Sequence, residues 1–589
     1  MPAFSLSRAA LGLVVALNFG VGCSLVTAQE AASDVPAITI RSSTRLVVVD
    51  VVVTDKKGQA IPGLKADDFT VEENGKKQKI SIFVPPGVSG GLAPTPVPPG
   101  VLSNHPEHVR PAGELTVLLL DATNSPFKNQ AYARSQMLKY AAEQGQGGRP
   151  MAVMALTTHL QVLQQFTSDP QVLAAAIKNY KPQEQILQAA PAAPESHGVA
   201  TTPIDRGGGS GNATAGLVAS AEAAVQRFVD LQVGYDQERR TLITIEAMKS
   251  LSRILGGLPG RKNVVWLTAS LPFDLIPEDR AVTEAERIDD VPGVQRRSLA
   301  TLSSGSQAAE QRALHGGEIR EAESQLASAN IAIYPVDVTG LTSGMEISVI
   351  SAGSTSRDTA LSDQAFSGLE SQQVSQGTME EVAAQTGGKA YKNQNEIKDG
   401  ITLAVSDEKA SYSLGYYPEN KKWDGKFRSL KVKLARGDTQ IRYRKGFFAI
   451  DPGATKNSNF EQEVAAALEV GAPATQVSFM AQAKPTDPGK MRVVFLVDAH
   501  TISVEEGSGG KRLNINLYAS VYDASGKSMG ARSTKVDHAF DAATYQQVLD
   551  KGIMVPIDMD MPAGGQQLRL AVLDNKTGFI GTVSGPLGQ

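Results

Sequence analysis

The sequence predicts an α/β domain flanked by all-β modules, and three observations carry that expectation. Across residues 113–400, apolar runs of strand length alternate with longer helix-forming stretches, the pattern of a mostly parallel sheet with helices on both faces. Before that region, "RLVVVDVVVT" (Arg45 to Thr54) is Val-rich and β-branched, and a hairpin signal follows it. After it come alternating apolar runs at turn-like spacing with almost no helical period.

At 589 residues the chain has length for roughly three or four domains of about 150 residues each, so several cores are expected. Apolar residues make up 41% and charged residues 20%, an ordinary balance for a folded protein. The net charge of -4 supplies no bulk attraction to nucleic acid or anionic lipid, so no nucleic-acid partner is expected.

Residues 1–28 read as a secretory signal: one basic residue, Arg8, an apolar run from Ala9 to Phe19, and small residues at Val26, Thr27 and Ala28. The competing reading is a lipoprotein signal ending at Cys23, but Gly20 stands where that motif has a Leu-like residue. The expected location is the periplasm or the cell exterior. Cleavage after Ala28 leaves a mature chain without cysteine, which excludes disulfides and thiolate metal sites. No later apolar run approaches the roughly 20 residues that span a bilayer, so no transmembrane segment is expected after the signal.

Residues 37–84 form an N-terminal β module, with Asn74-Gly75 between two alternating runs as a tight-hairpin signal. The stretch "VPPGVSGGLAPTPVPPG" is too dense in Pro and Gly for a helix or a central strand, which makes 85–112 a linker. Within 113–400 the expected strands are 115–121, 151–157, 263–268 and 331–337, with helices near 127–144, 170–179, 215–256 and 306–328. Interruptions near 182–214 and 340–375 read as surface insertions. Residues 401–450 read as an antiparallel β extension, 451–472 as a second linker, and 473–589 as a C-terminal β-sandwich of immunoglobulin type.

The run "LLLDATNS", Leu118 to Ser125, ends a predicted strand at the carboxyl edge of a parallel sheet, where open α/β sheets bind ligands. Asp121, Thr123 and Ser125 follow at two-residue steps. In an exposed, extended loop, one carboxylate and two hydroxyls then point to the same side. Three hard oxygens without nitrogen or sulfur suit Mg²⁺, Mn²⁺ or Ca²⁺. The plain alternative is a strand end capped by hydroxyls, and the residues leave both readings open.

At this motif the chain resembles the von Willebrand factor type A domain, whose metal-ion-dependent adhesion site opens with Asp-x-Ser-x-Ser after the first strand. This sequence reads Asp121-Ala122-Thr123-Asn124-Ser125. The likeness spans residues 113–400 and implies a Rossmann-like, mostly parallel sheet with helices on both faces. More narrowly, "VVVTDKKGQAIPGLKADDFTVEENG", "GRKNVVWL" and the tail from "SLGYYPEN" to "KFRSLKVKLAR" look like the von Willebrand A-related proteins exported by Acidobacteria-type bacteria. The family pattern implies a Thr from a second loop, Thr241 or Thr244 here, and an acid at the end of the fourth strand. That strand ends "VVWLTAS", so Ala269 stands where the acid belongs, and Asp337 and Asp274 are the candidates to replace it. The resemblance thus implies a degenerate Mg²⁺ or Mn²⁺ site on Asp121, Thr123, Ser125 and Thr241. In the intact form an acidic group of the ligand completes the shell.

No catalytic constellation assembles in the sequence. "GVSGG", Gly87 to Gly91, has the spelling of a nucleophile elbow but lies in the Pro-rich stretch with no strand or helix beside it. "SGKS", Ser525 to Ser528, lacks the earlier glycine of a phosphate loop and reads as a hairpin turn. His105 and His108 fall in the linker. Tyr416, Tyr417 and Trp423, in "GYYPENKKWDG", are candidate exposed anchors for a partner. The expected function is an exported, non-enzymatic binding or adhesion protein engaging a protein or cell-surface ligand. The alternatives are a metal-independent structural or assembly component of the bacterial envelope and a hydrolase whose acids meet only in three dimensions.

Overall fold

The computed structural model describes residues 46–87, 95–109, 115–143, 149–182, 211–272, 302–340, 375–393, 396–451, 460–469, 471–507 and 510–587. The expected signal, Cys23, Asp274 and the interiors of both expected insertions lie outside these residues.

The Val-rich start is β1 (Val47–Thr54), buried along nearly its whole length. β2 (Phe69–Glu73) and β3 (Lys76–Gln78) form the hairpin that Asn74-Gly75 announces. Both turn residues have positive φ, 48° and 77°, which suits a two-residue turn of type I′. β4 (Ile80–Val84) follows, and β5 (Val101–Ser103) emerges from the Pro/Gly stretch before a single helical turn at Pro106–Val109.

The central sheet contains β6 (Leu115–Asp121), β7 (Met151–Leu156), β8 (Leu160–Thr167), β9 (Lys262–Thr268) and β10 (Ile331–Asp337), in the order β10-β9-β6-β7-β8. β6, β7, β9 and β10 run parallel, while β8 lies antiparallel along one edge. Helices Phe127–Glu143, Pro170–Asn179 and Ile397–Ser406 cover one face through Met137, Leu173 and Ile401. Helices Gly211–Leu255, Leu302–Ser328 and 375–386 cover the other through Met248, Leu251, Leu326 and Met379. Strands buried on both faces read as unbroken apolar runs, which is why these four stand out in the sequence. β8, "LQVLQQFT", is half polar because it is an edge, and the periodicity reading has no strand there.

β11 (Ser411–Tyr416), β12 (Phe427–Leu434), β13 (Gln440–Arg442) and β14 (Gly446–Phe448) then return to the start of the chain. They give the sheets β13-β1-β11-β4 and β14-β12-β2-β3. Val49 pairs with Leu414, and Val71 with Val432. The two sheets close on Val51, Phe69, Tyr412, Leu414 and Leu430. The stretches 37–84 and 401–450, expected as separate modules, are therefore two halves of one sandwich. The physical reason is that neither half has enough strands to enclose a core alone.

The C-terminal body holds β15 (Phe479–Pro485), β16 (Lys490–Val497), β17 (Glu505–Gly507), β18 (Gly510–Tyr522), β19 (Ser528–Phe540), β20 (Ile553–Asp560), β21 (Gln567–Asp574) and β22 (Ile580–Pro586). One sheet is β20-β16-β15-β5; the other is β17-β18-β21-β22, with β19 also paired to β18 across the "SGKS" turn. Phe479, Phe495, Leu517, Ile557 and Leu570 fill the space between them. The end of the expected first linker thus serves as an edge strand, the one sheet position its composition permits. Buried Asn104 pins it, donating to the carbonyls of Ala474 (2.7 Å) and Val477 (2.8 Å) and accepting from the Phe479 N–H (2.8 Å). The expected second linker contains the helix Phe460–Glu469. Its Val464 and Ala467, three residues apart on one face, pack on Ala571, Leu573 and Ile580.

Polar contacts join the three bodies. Arg444 donates to the Ala327 carbonyl at 3.0 Å and the Val48 carbonyl at 2.7 Å, and buried Arg261 reaches the Tyr334 hydroxyl (2.9 Å), the Gly387 carbonyl (3.0 Å) and Asp50 (3.5 Å). At the other junction, Thr475 donates its N–H to the Arg253 carbonyl (2.8 Å) and its hydroxyl to that of Ile254 (2.8 Å). A Cβ on Gly257 would stand 1.7 Å from the Thr475 carbonyl oxygen, so a side chain there cannot coexist with this approach. Among the described residues no helix is long and apolar enough to cross a membrane.

Gly257→Ala is expected to push the C-terminal sandwich off the helix end at a cost of about 1–3 kcal/mol. Calorimetry should then resolve two unfolding transitions where the parent chain shows stronger coupling between the bodies.

On the helix Leu302–Ser328, Glu323 Oε1 is enclosed without a hydrogen-bond partner among the described residues. Burial, aided by the charge of Glu381 and opposed by Arg320, pushes this carboxyl up to about 8. The folded state therefore disfavours the charged form, so this contribution to stability is fullest below the ordinary value of 4.5 and is lost as pH rises through about 8. Urea midpoints are expected to fall between about pH 6 and about pH 9 in the parent chain and to fall less in Glu323→Gln.

Candidate functional site at the carboxyl edge of the central sheet

Asp121 is the last residue of β6, and the parallel register with β9 sets its neighbours. Leu119 pairs with Trp266 and Leu120 with Leu267, so Asp121, Trp266 and Thr268 project from the same face of the sheet. The helix Gly211–Leu255 covers that face and brings Thr244 to the strand ends.

Asp121 is 0% exposed, where an exposed loop was expected. A buried carboxylate must be met by donors, and this one has four contacts. Its Oδ1 accepts from the Asn124 backbone N–H at 2.9 Å. Its Oδ2 accepts from Asn124 Nδ2 (2.9 Å), Trp266 Nε1 (3.0 Å) and Thr268 Oγ1 (3.0 Å). Burial pushes the carboxyl above its ordinary range, and the bonds from Asn124, Trp266 and Thr268 pull in the opposite direction.

The hydroxyls are engaged as well. Thr123 donates to the Thr157 carbonyl. Ser125 Oγ accepts the Ala269 N–H at 3.0 Å. Thr241 Oγ1 donates to the carbonyls of Gln237 (2.9 Å) and Pro272 (3.3 Å), within and beside its own helix. Thr244, not Thr241, joins the Asp121 network: its Oγ1 donates to the Arg240 carbonyl (2.8 Å) and accepts from Asn124 Nδ2 (3.0 Å). The Asn124 carboxamide thus spans carboxylate and hydroxyl, one N–H to each.

A hard cation requires lone pairs that converge on one point. Here the Asn124 carboxamide nitrogen stands between Asp121 and Thr244, while its Oδ1 is buried without a hydrogen-bond partner among the described residues. Ala269 supplies a backbone N–H where a carboxylate would stand. Asp337, a further candidate acid, accepts from the Thr339 N–H (2.8 Å) in the loop that follows it and from Gln376 Nε2 (2.9 Å) on the helix 375–386. As placed, Asp121, Thr123 and Ser125 make their hydrogen bonds within the protein, and Thr241 bonds to carbonyls outside the Asp121 network. Among the described residues no group of three or more His, Cys, Asp or Glu side chains is placed to hold a metal.

The aromatic trio also departs from expectation. Tyr416 is buried, because β11 is a central strand whose inward positions fill the sandwich core, and its hydroxyl donates to Glu73 at 2.7 Å. Trp423 packs against the same core, with the Arg428 guanidinium 5.4 Å from its ring centre. Tyr417 alone is exposed, at 47%.

Asn124, Trp266 and Thr268 are the residues that motif reading passed over. Trp266 left a signal: an indole N–H inside an otherwise apolar strand requires an acceptor, and Asp121 ends the neighbouring strand. Asn124 left none, since the motif treats its position as free.

Asp121→Ala strands the Trp266 and Asn124 donors in a dry interior. It is expected to lower stability by about 3 kcal/mol or more, read as a shift in the urea midpoint at constant slope.

No protein-family model matches the chain. No curated protein matches it either. Among solved structures, an aerotolerance-related membrane protein from Bacteroides fragilis is similar with a TM-score of 0.23 at 12% identity, over 50% of this chain and 100% of that one. A von Willebrand factor type A protein from Catenulispora acidiphila gives 0.18 at 9% identity, over 93% and 75%. An endonuclease/exonuclease/phosphatase from Beutenbergia cavernae gives 0.12 at 10%, over 31% and 38%. Likenesses this low carry no argument about fold or function, and both rest on the strand order and the residues described above.

Proposed function

We propose that this chain is an exported, non-enzymatic interaction protein of von Willebrand A type, recognising a protein or cell-surface partner without a metal ion. The observation that carries this reading is the state of Asp121: four internal donors meet its carboxylate, and the Asn124 carboxamide stands between it and Thr244. Metal-dependent recognition needs the opposite arrangement, an open set of oxygens to which a ligand carboxylate adds the last one. The partner therefore requires no acidic group. Export follows from the character of the first 28 residues, and a binding role from the strand-end motif and the absence of an assembled catalytic constellation in the sequence.

Titration of Mg²⁺ and Mn²⁺ into the full chain, followed by calorimetry, tests the reading. The parent chain is expected to give no saturable heat, and partner capture from envelope extracts is expected to be indifferent to chelator. Saturable Mn²⁺ binding that Ser125→Ala weakens, in a variant that still melts cooperatively, would overturn it.

A further inference from the structure

On the helix Gly211–Leu255, the buried residues that meet the central sheet begin at Thr241; among the described positions before it, none is buried. That earlier part instead carries large apolar side chains in the open. Phe228 and Tyr235 are each 66% exposed, and Leu242 is 42% exposed. Residues seven apart drift by only about 20° around an α-helix, so the three share one face. From Phe228 to Leu242 the stripe runs about 21 Å along the axis. A single exposed apolar residue is ordinary, whereas a line of them on one helix marks a contact surface. The helix Leu302–Ser328 packs alongside, with His315 Nε2 3.8 Å from Glu238 Oε1, and leaves the stripe open.

Gly234 is a second sign of a missing neighbour. A glycine inside a helix weakens it and calls for a packing reason. A Cβ at Gly234 would meet nothing within 4 Å, so contacts within the chain do not supply that reason. The residue lies on the flank of the stripe beside Tyr235, where a bare backbone lets another helix come close.

The character of the face points to what covers it. Its exposed positions, Phe228, Gln232, Tyr235, Glu238 and Leu242, are symmetric about Tyr235. A second copy turned antiparallel about a two-fold axis at Tyr235 sets Phe228 opposite Leu242 of the second copy and Tyr235 opposite Tyr235. The same rotation sets Gln232 opposite Glu238, and the carboxamide N–H of one meets the carboxylate of the other. A parallel, in-register pair would instead hold Glu238 against Glu238. The face is complementary to itself in one orientation. Its apolar side chains offer roughly 300 Å² per copy, against roughly 800 Å² per partner in a standard stable interface. The association is therefore reversible, with the aromatic pair at its centre carrying most of it.

We propose that this stripe is a homodimer contact, in which the helices Gly211–Leu255 of two copies cross antiparallel over Tyr235. The contact does not rest on the reading of the Asp121 edge.

The test is sedimentation equilibrium on the full chain from about 1 to about 200 µM, with a dimer of micromolar Kd expected. Tyr235→Glu, which puts two carboxylates at the axis, is expected to weaken it about tenfold or more. The unfolding temperature of the monomer should not change, because the position is exposed. In a Cys23→Ser background no other cysteine remains. There, Phe228→Cys and Leu242→Cys chains are expected to form a disulfide with each other when mixed and oxidised, and neither with itself, since antiparallel pairing separates like positions by about 21 Å. A chain that stays monomeric at the top of the concentration range, a dimer that Tyr235→Glu leaves intact, or like-with-like disulfides would overturn the proposal. Sedimentation of a monomer with phosphatidylcholine vesicles, abolished by Tyr235→Glu, would also overturn it and assign the stripe to a membrane surface.

Discussion

The carboxylate of Asp121 is the constraint around which the carboxyl edge of the central sheet is organised. Placed at the end of an apolar strand and covered by a helix, it has no water to solvate it, and folding is tolerable only if the protein provides every donor. Those donors arrive from the loop after β6 and from β9, while Thr244 on the helix Gly211–Leu255 accepts the second N–H of the Asn124 carboxamide. Strand register, helix placement and loop shape are therefore fixed together. A site that must receive an outside ion keeps its ligands partly unsatisfied. Here the carboxylate and hydroxyls of the motif are hydrogen-bonded within the protein.

That difference explains how much of the site the sequence revealed. Asp121, Thr123 and Ser125 were legible because a buried parallel strand ends at a predictable edge. Whether their oxygens face a ligand or the fold depends on residues up to 147 positions away, Trp266 and Thr268 among them, and no local pattern encodes that. The missing acid at Ala269 was legible; the amide at Asn124 that bridges the carboxylate and Thr244 was not. Tyr416 shows the same limit for exposure. Its alternating neighbours mark a strand correctly, but which alternate face is inward is decided by β1, whose Val47 pairs with it.

The architecture divides along the same line. The four parallel strands and their helices were readable because burial on both faces leaves long apolar runs and clear helical stretches. The grouping into bodies was not, because each outer body is assembled from pieces on either side of the central domain. β1 to β4 wait for β11 to β14, and β5 waits for β15. Periodicity describes segments, whereas membership in a sheet is a long-range fact. The seams between bodies are correspondingly polar, with Arg261, Arg444 and Thr475 satisfying backbone carbonyls across them.

The interleaving has a consequence for how the protein is made. Asp50 on β1 and Ser413 on β11 are 363 residues apart in the chain, yet they share a hydrogen bond in the finished sandwich. At synthesis rates of about 5–20 residues per second, β1 exists for roughly 20–70 s before its partner strand leaves the ribosome. During that interval its row of valines is an unpaired, aggregation-prone edge. The first sandwich can therefore close only after the central domain has been made.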